Sequence, residues 1–162
     1  MDFADSYLGG LRALVGHRPL LAVGVSVLIE QDGTFLLLRR SDTGAWGLPG
    51  GSMELGESLI DAVHREVREE TNAILNAVQV FGISSDPAVE GHTYPNGDTI
   101  QNVAVLVHAG LEPGEIRSND HEALEFRFAA AADIDPAGFV KTEYPTFAHW
   151  RRFTQTRQFQ FV

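Results

Sequence analysis

One glycine, four carboxylates and one arginine stand at fixed spacing in a single stretch of this 162-residue chain. Gly51-Ser52-Met53-Glu54-Leu55-Gly56-Glu57 is followed, eight residues on, by Arg65-Glu66-Val67-Arg68-Glu69-Glu70. Glu66, Glu69 and Glu70 are spaced i, i+3, i+4, so a helix presents them side by side. Three like charges on one helical face repel one another. A folded chain tolerates them where a cation sits between, and hard carboxylate oxygens suit Mg²⁺.

The helix that must position them reads clearly. Ser58-Leu59-Ile60-Asp61 fits a capping box, with Ser58 as N-cap and Asp61 reaching back. Leu59, Ile60, Val63 and Val67 recur at helical spacing and predict an apolar stripe. At about 100° per residue the three glutamates lie beside that stripe, at the edge of the core. Asp61, His64 and Arg68 fall on the solvated side. Thr71-Asn72 ends the run, since Asn tolerates the left-handed backbone of a helix stop.

The pattern G-x5-E-x7-R-E-U-x-E-E-x-G-U, with U an apolar residue, is the signature of the Nudix hydrolases, the MutT-like enzymes among them. This chain resembles that family at Gly51, Glu57, Arg65, Glu66, Val67, Glu69 and Glu70. Asn72 stands where the pattern has glycine, and Ala73 fills the last apolar position. The box is residues 51–73, and Trp46-Gly47-Leu48-Pro49-Gly50-Gly51 is similar to the family's approach to it. The resemblance covers most of residues 20–130. It implies an α/β (α+β) fold of one domain, a Nudix-type α/β/α sandwich with a mixed sheet. A helical arm over residues 1–19 would precede a hydrolase domain over 20–162.

The resemblance also implies a reaction: attack of water on phosphorus in a nucleoside diphosphate linked to another moiety. The substrate is expected to be a nucleoside di- or triphosphate or an ADP-ribose-like nucleotide, and the cofactor Mg²⁺ or Mn²⁺. Glu66, Glu69, Glu70 and the Gly50 carbonyl are the implied metal ligands. Glu57 and Arg65 would support them, the arginine holding a carboxylate with two N–H groups. The general base is either a glutamate in the box or an acid in a later loop. Asp120, Glu122 and Glu125 are the later candidates, with Glu122 preferred; solvated loop acids are the plain alternative.

Composition agrees. The length suits one domain that buries roughly two-thirds of its extended surface. No run of 18 apolar residues predicts a membrane span, and no basic region followed by an apolar core predicts a signal peptide. The absence of cysteine excludes thiolate metal sites and cysteine nucleophiles, and is compatible with a cytoplasmic setting. A net charge of −10 argues against nonspecific nucleic-acid binding.

Around the box the chain alternates strands and turns. Leu20–Ile29 and Phe35–Arg39 are expected strands joined at Gln31-Asp32-Gly33, and residues 41–57 a glycine-rich loop. Further strands are expected at 74–83, Thr99–His108 and Leu124–Phe128, and a last helix around Phe147, Trp150 and Arg151. A polar loop is expected over 84–98. Residues 3–16 carry apolar groups at helical spacing, weakened by Gly9-Gly10. They are read either as a dimer arm or lid, or as a helix packed on the sheet; a homodimer stays open. For substrate contacts the candidates are Arg39, with Arg40 beside it, Trp46, and Tyr94 in the His92–Asp98 loop. Each has a plainer alternative as edge charge, core aromatic or ordinary turn. Two other function classes stay in view. One is a nucleotide-binding module that has lost turnover, against which the intact glutamates count. The other is an isoprenyl diphosphate isomerase of the same fold, whose familiar chemistry needs a cysteine.

Overall fold

The computed structural model describes residues 3–94, 96–119 and 122–162. Pro95 of the expected polar loop and Asp120, one candidate base, lie outside the described residues. A short 3₁₀ turn at Phe3–Asp5 leads into α1 (Tyr7–Val15). β1 (Leu20–Gln31) and β2 (Thr34–Arg40) form a hairpin. Its two-residue turn, Asp32-Gly33, has positive φ at both positions (51° and 77°), the geometry that matches strand twist. β3 (Trp46–Gly47) and β4 (Gly50–Ser52) follow, then α2 (Leu59–Thr71) and β5 (Leu75–Ser84). A single helical turn α3 (Pro87–Glu90) and β6 (Gly91–Thr93) precede β7 (Thr99–Leu111). β8 (Ala123–Ala129), two 3₁₀ turns at Ala131–Asp133 and Pro136–Gly138, α4 (Thr146–Thr156) and β9 (Gln160–Phe161) complete the described elements.

The strands form one mixed sheet in the order β3-β2-β1-β7-β5-β9. β4 adds to β1, β6 to β7 and β8 to β2. β1 and β7 run parallel down the centre, from Leu20↔Ile100 to Glu30↔Gly110. Alternation along β1 sends its side chains to two cores. Val25, Val27 and Ile29 pack with Val63 and Val67 of α2 on one face. Leu28 packs with Leu37, Phe81, Leu106 and Phe147 and Phe153 of α4 on the other. The result is the expected α/β/α sandwich. No helix among the described residues is long and apolar enough to cross a membrane.

Several local expectations change. Ile60 is not part of the buried stripe but 47% exposed; Ala62, Val63 and Val67 supply the buried face. The glycine-rich loop contains two short strands, and the polar loop contains α3 and β6. The three strands are two or three residues long and form against β1, β2 and β7, while α3 starts at Pro87 with the Asp86 side chain as its cap. At the N-terminus, Ser6 caps α1 by accepting from Gly9 N–H. Gly9 is buried, and a Cβ there would collide with the Phe3 carbonyl. That close approach explains a glycine where helix propensity argues against one.

Candidate active site

The capping box is present. Ser58 Oγ accepts from Asp61 N–H at 3.3 Å and the Asp61 carboxylate accepts from Ser58 N–H at 3.2 Å. Burial of Val63 and Val67 then fixes the rotation of α2, which turns Glu66 and Glu70 inward. At the other end Asn72 takes the left-handed conformation, φ 58°, and its N–H closes on the Arg68 carbonyl. The loop over 115–119 secures that end. Arg117 and Asn119 backbone N–H groups donate to Thr71 and Glu69 carbonyls. Asn72 Nδ2 donates to the Glu115 carbonyl at 3.0 Å.

Arg65 is the hub of the cluster. Its Nε and Nη2 grip Glu57 at 2.9 and 2.7 Å. Nη2 also donates to the Ser52 carbonyl at 3.0 Å, and Nη1 to Glu66 at 2.8 Å with Glu69 at 3.6 Å. The grip holds the Glu57 carboxyl below its ordinary range. Glu70 is 5% exposed and accepts from Gly50 N–H at 2.8 Å. Burial pushes the Glu70 carboxyl well up and raises that of Glu66. Two glycines permit this packing. Gly50 has φ 154°, and a Cβ there would strike the Val25 carbonyl; a Cβ on Gly51 would come within 2.5 Å of the Glu66 carboxylate.

Arg65, Glu66, Glu69, Glu70, Gly50, Gly51 and Ser52 line a cleft of about 760 Å³, a size that accommodates a nucleotide. The donor set suits a hard divalent cation: carboxylates withdrawn from water and short of positive charge. As the side chains stand, no three His, Asp or Glu groups among the described residues converge closely enough to hold one. Arg65 Nη1 occupies the space between Glu66 and Glu69.

The other candidates separate cleanly. Glu122 lines the cleft, and its charge raises Glu66 further. Glu125 lies outside it, 3.6 Å from Arg39. Arg39 does not line the cleft; it donates to the Gly44 carbonyl and faces β8. Its neighbour Arg40, across a register shift in the β2–β8 pairing, does line it, gripped by Asp42 through two hydrogen bonds. Trp46 is also off the cleft, packed against the α4-side core with the Arg127 guanidinium 4.2 Å above its ring. Tyr94 also lines the cleft, edge-on to His92 with ring centroids 4.5 Å apart.

One site residue escaped the sequence altogether. Glu143, in the turn before α4, lines the cleft and accepts from Leu48 N–H at 2.6 Å. Burial pushes its carboxyl up to about 7, against the pull of Arg40. No motif spacing marks it; only the fold brings it 95 residues back to Leu48. Leu48 and Gly50, on either side of Pro49, thus each donate to a buried or half-buried carboxylate, Glu143 and Glu70.

A family model described as NUDIX domain matches residues 19–150. The ADP-ribose pyrophosphatase of Methanocaldococcus jannaschii is 36% identical over 110 residues, 66% of this chain and 60% of that protein. The RNA pyrophosphohydrolase of Stenotrophomonas maltophilia K279a is 36% identical over 142 residues, 84% of this chain and 58% of that protein. The chain therefore spans less than two-thirds of the length of either relative. Among solved structures, a NUDIX hydrolase from Nitrosomonas europaea shares the fold with a TM-score of 0.69 at 24% identity, covering 87% of this chain and 76% of that one.

Proposed function

The chain belongs to the Nudix family, with the NUDIX domain over residues 19–150, and on that premise we propose that it is a divalent-metal-dependent pyrophosphohydrolase of nucleotide derivatives. One observation carries the reading. Arg65 gathers Glu57, Glu66 and Glu69, while Glu70 packs on Gly50, at the wall of a nucleotide-sized cleft. Glu66, Glu69, Glu70 and the Gly50 carbonyl would hold the ion, Mg²⁺ or Mn²⁺. Such an ion neutralises diphosphate oxygens and acidifies bound water.

The chain's own groups prepare the rest. Arg65 anchors Glu57 and Glu66 and would yield the space between Glu66 and Glu69 to the ion. Glu122, on the cleft wall, is the group assigned to take the proton from attacking water. Tyr94, on the cleft wall, meets the nucleoside, and Arg40 replaces Arg39 as the strand's contribution to the cleft. Both relatives named above are called pyrophosphatases or pyrophosphohydrolases, which supports the reaction class.

The test is a hydrolysis panel in Mg²⁺: nucleoside di- and triphosphates, ADP-ribose, sugar nucleotides, dinucleoside polyphosphates and capped RNA. Turnover of one compound to a nucleoside phosphate, lost on adding EDTA, is the expected result. Silence across the panel, with ligand-induced thermal shifts retained, would replace the reading by a binding module.

A further inference from the structure

Four cationic side chains line the cleft: Arg12, Arg40, Arg65 and Lys141. Three are engaged. Arg12 lies 3.4 Å from Asp98 and donates to the carbonyls of Gly16, Arg18 and Thr99. Arg40 is held by Asp42 and Arg65 by Glu57 and Glu66. Lys141, the chain's one lysine, makes no hydrogen bond or ion pair with any described residue. Its side chain is exposed on the wall of a cleft rich in carboxylates, where an ammonium can meet an incoming anion.

Its backbone is fixed in place. Val140 N–H donates to the Trp46 carbonyl at 2.8 Å, and Glu143 and Tyr144 N–H groups close the turn on the Val140 carbonyl at 3.1 Å. Glu143 itself accepts from Leu48 N–H. Lys141 is therefore tied to the segment running from Trp46 into Gly50, whose N–H meets Glu70 of the glutamate cluster. A lysine on a fixed turn acts as a point charge with three donors, which suits phosphate oxygens.

We propose that Lys141 binds a phosphoryl group lying beyond the diphosphate held at the glutamate cluster. The contact favours substrates with a third phosphate over diphosphates capped by a neutral sugar. It rests on the reading of the chain as a nucleotide pyrophosphohydrolase and narrows its substrate class.

The experiment compares Lys141→Ala and Lys141→Arg in the turnover-arrested Glu69→Gln protein. ATP and ADP-ribose, or the matching pair on whichever base the panel selects, are titrated by calorimetry in Mg²⁺. Lys141→Ala should weaken the triphosphate about tenfold or more, as loss of a charged hydrogen bond does, and leave the sugar-capped diphosphate within about twofold. Lys141→Arg should restore most of the loss, and melting temperatures should not move. In the active enzyme the alanine variant should raise KM for the triphosphate and leave kcat unchanged. Equal weakening of both ligands, or weakening of neither, overturns the proposal. Absence of binding by both ligands with Lys141 intact, in Glu69→Gln and also in the wild type with Ca²⁺ in place of Mg²⁺, overturns the functional reading and the Lys141 contact together.

Discussion

Arg65 and Glu143 share a task at the residue scale: each fixes backbone and carboxylate around the glycine turn. Arg65 meets Glu57, Glu66 and the Ser52 carbonyl at once. A lysine keeps the charge but cannot reproduce that fork. Arg65→Lys should lower turnover by about 10- to 100-fold, the usual cost of losing a group that orients ligands, with KM little changed. Steady-state kinetics on the panel's substrate checks this. Glu143 gives a pH signature. Its carboxyl titrates near 7 when folded, against an ordinary 4.5. Between those values the folded protein holds a proton that the unfolded chain has released, so stability falls as pH rises. Asp42 and Glu90 oppose its ionisation and Arg40 favours it. Glu143→Gln should therefore gain stability relative to wild type from pH 5 to pH 8, read as the difference in urea midpoint. A constant difference across that range would contradict the buried carboxyl. Neither residue's partners are equally legible from sequence. Arg65 stands at motif spacing, whereas Glu143 is marked only by tertiary contact. Between Arg39 and Arg40, sequence alone could not say which faces the cleft, because that depends on which side of β2 the cleft forms.

At the scale of elements, α2 explains why the site is where it is. Its cap, stripe and stop are local features, so the helix and its three glutamates were readable before any fold. β3, β4 and β6 were not, since strands of two or three residues carry no periodic signal and form only against β1, β2 or β7. The stop of α2 also holds more than its backbone suggests. The left-handed φ of Asn72 agrees with the family's preference for glycine, but its side chain donates to the Glu115 carbonyl at 3.0 Å and stands 3.4 Å from Asn119. Asn72→Gly relieves strain and removes those ties, so the glycine is not the neutral change its conformation alone predicts. The net expectation is a loss of about 1 kcal/mol, seen as a fall of a few degrees in melting temperature. A rise in melting temperature would show that the side-chain contacts contribute nothing.

For the whole molecule, the N-terminal segment belongs to the cleft wall. Leu8 and Arg12 line it, and Asp98 in the loop before β7 is reached by Arg12 at 3.4 Å and by His17 at 2.8 Å. Tyr7 N–H donates to Glu54 of the box loop, so α1 spans the two loops that bracket the cleft. We propose that α1 acts as a wall of the cleft rather than as a dimer arm. Deleting residues 1–16 should raise KM several-fold and leave the mass per particle in light scattering unchanged. A drop from dimer to monomer on deletion would restore the arm reading. The overall sandwich followed from the family resemblance and the alternating strands; the role of α1 as cleft wall depends on single contacts that no pattern encodes.

We propose that the α2 carboxylates hold the divalent ion that hydrolysis requires. The measurement that tests it most directly is the hydrolysis rate against Mg²⁺ concentration, for wild type and Glu69→Gln, with circular dichroism to show that both are folded. The expected result is saturable activation abolished by EDTA in the wild type, and a rate lower by about 100-fold or more in the variant. Hydrolysis that persists in EDTA, or a Glu69→Gln enzyme that keeps the wild-type rate and Mg²⁺ dependence, would contradict it.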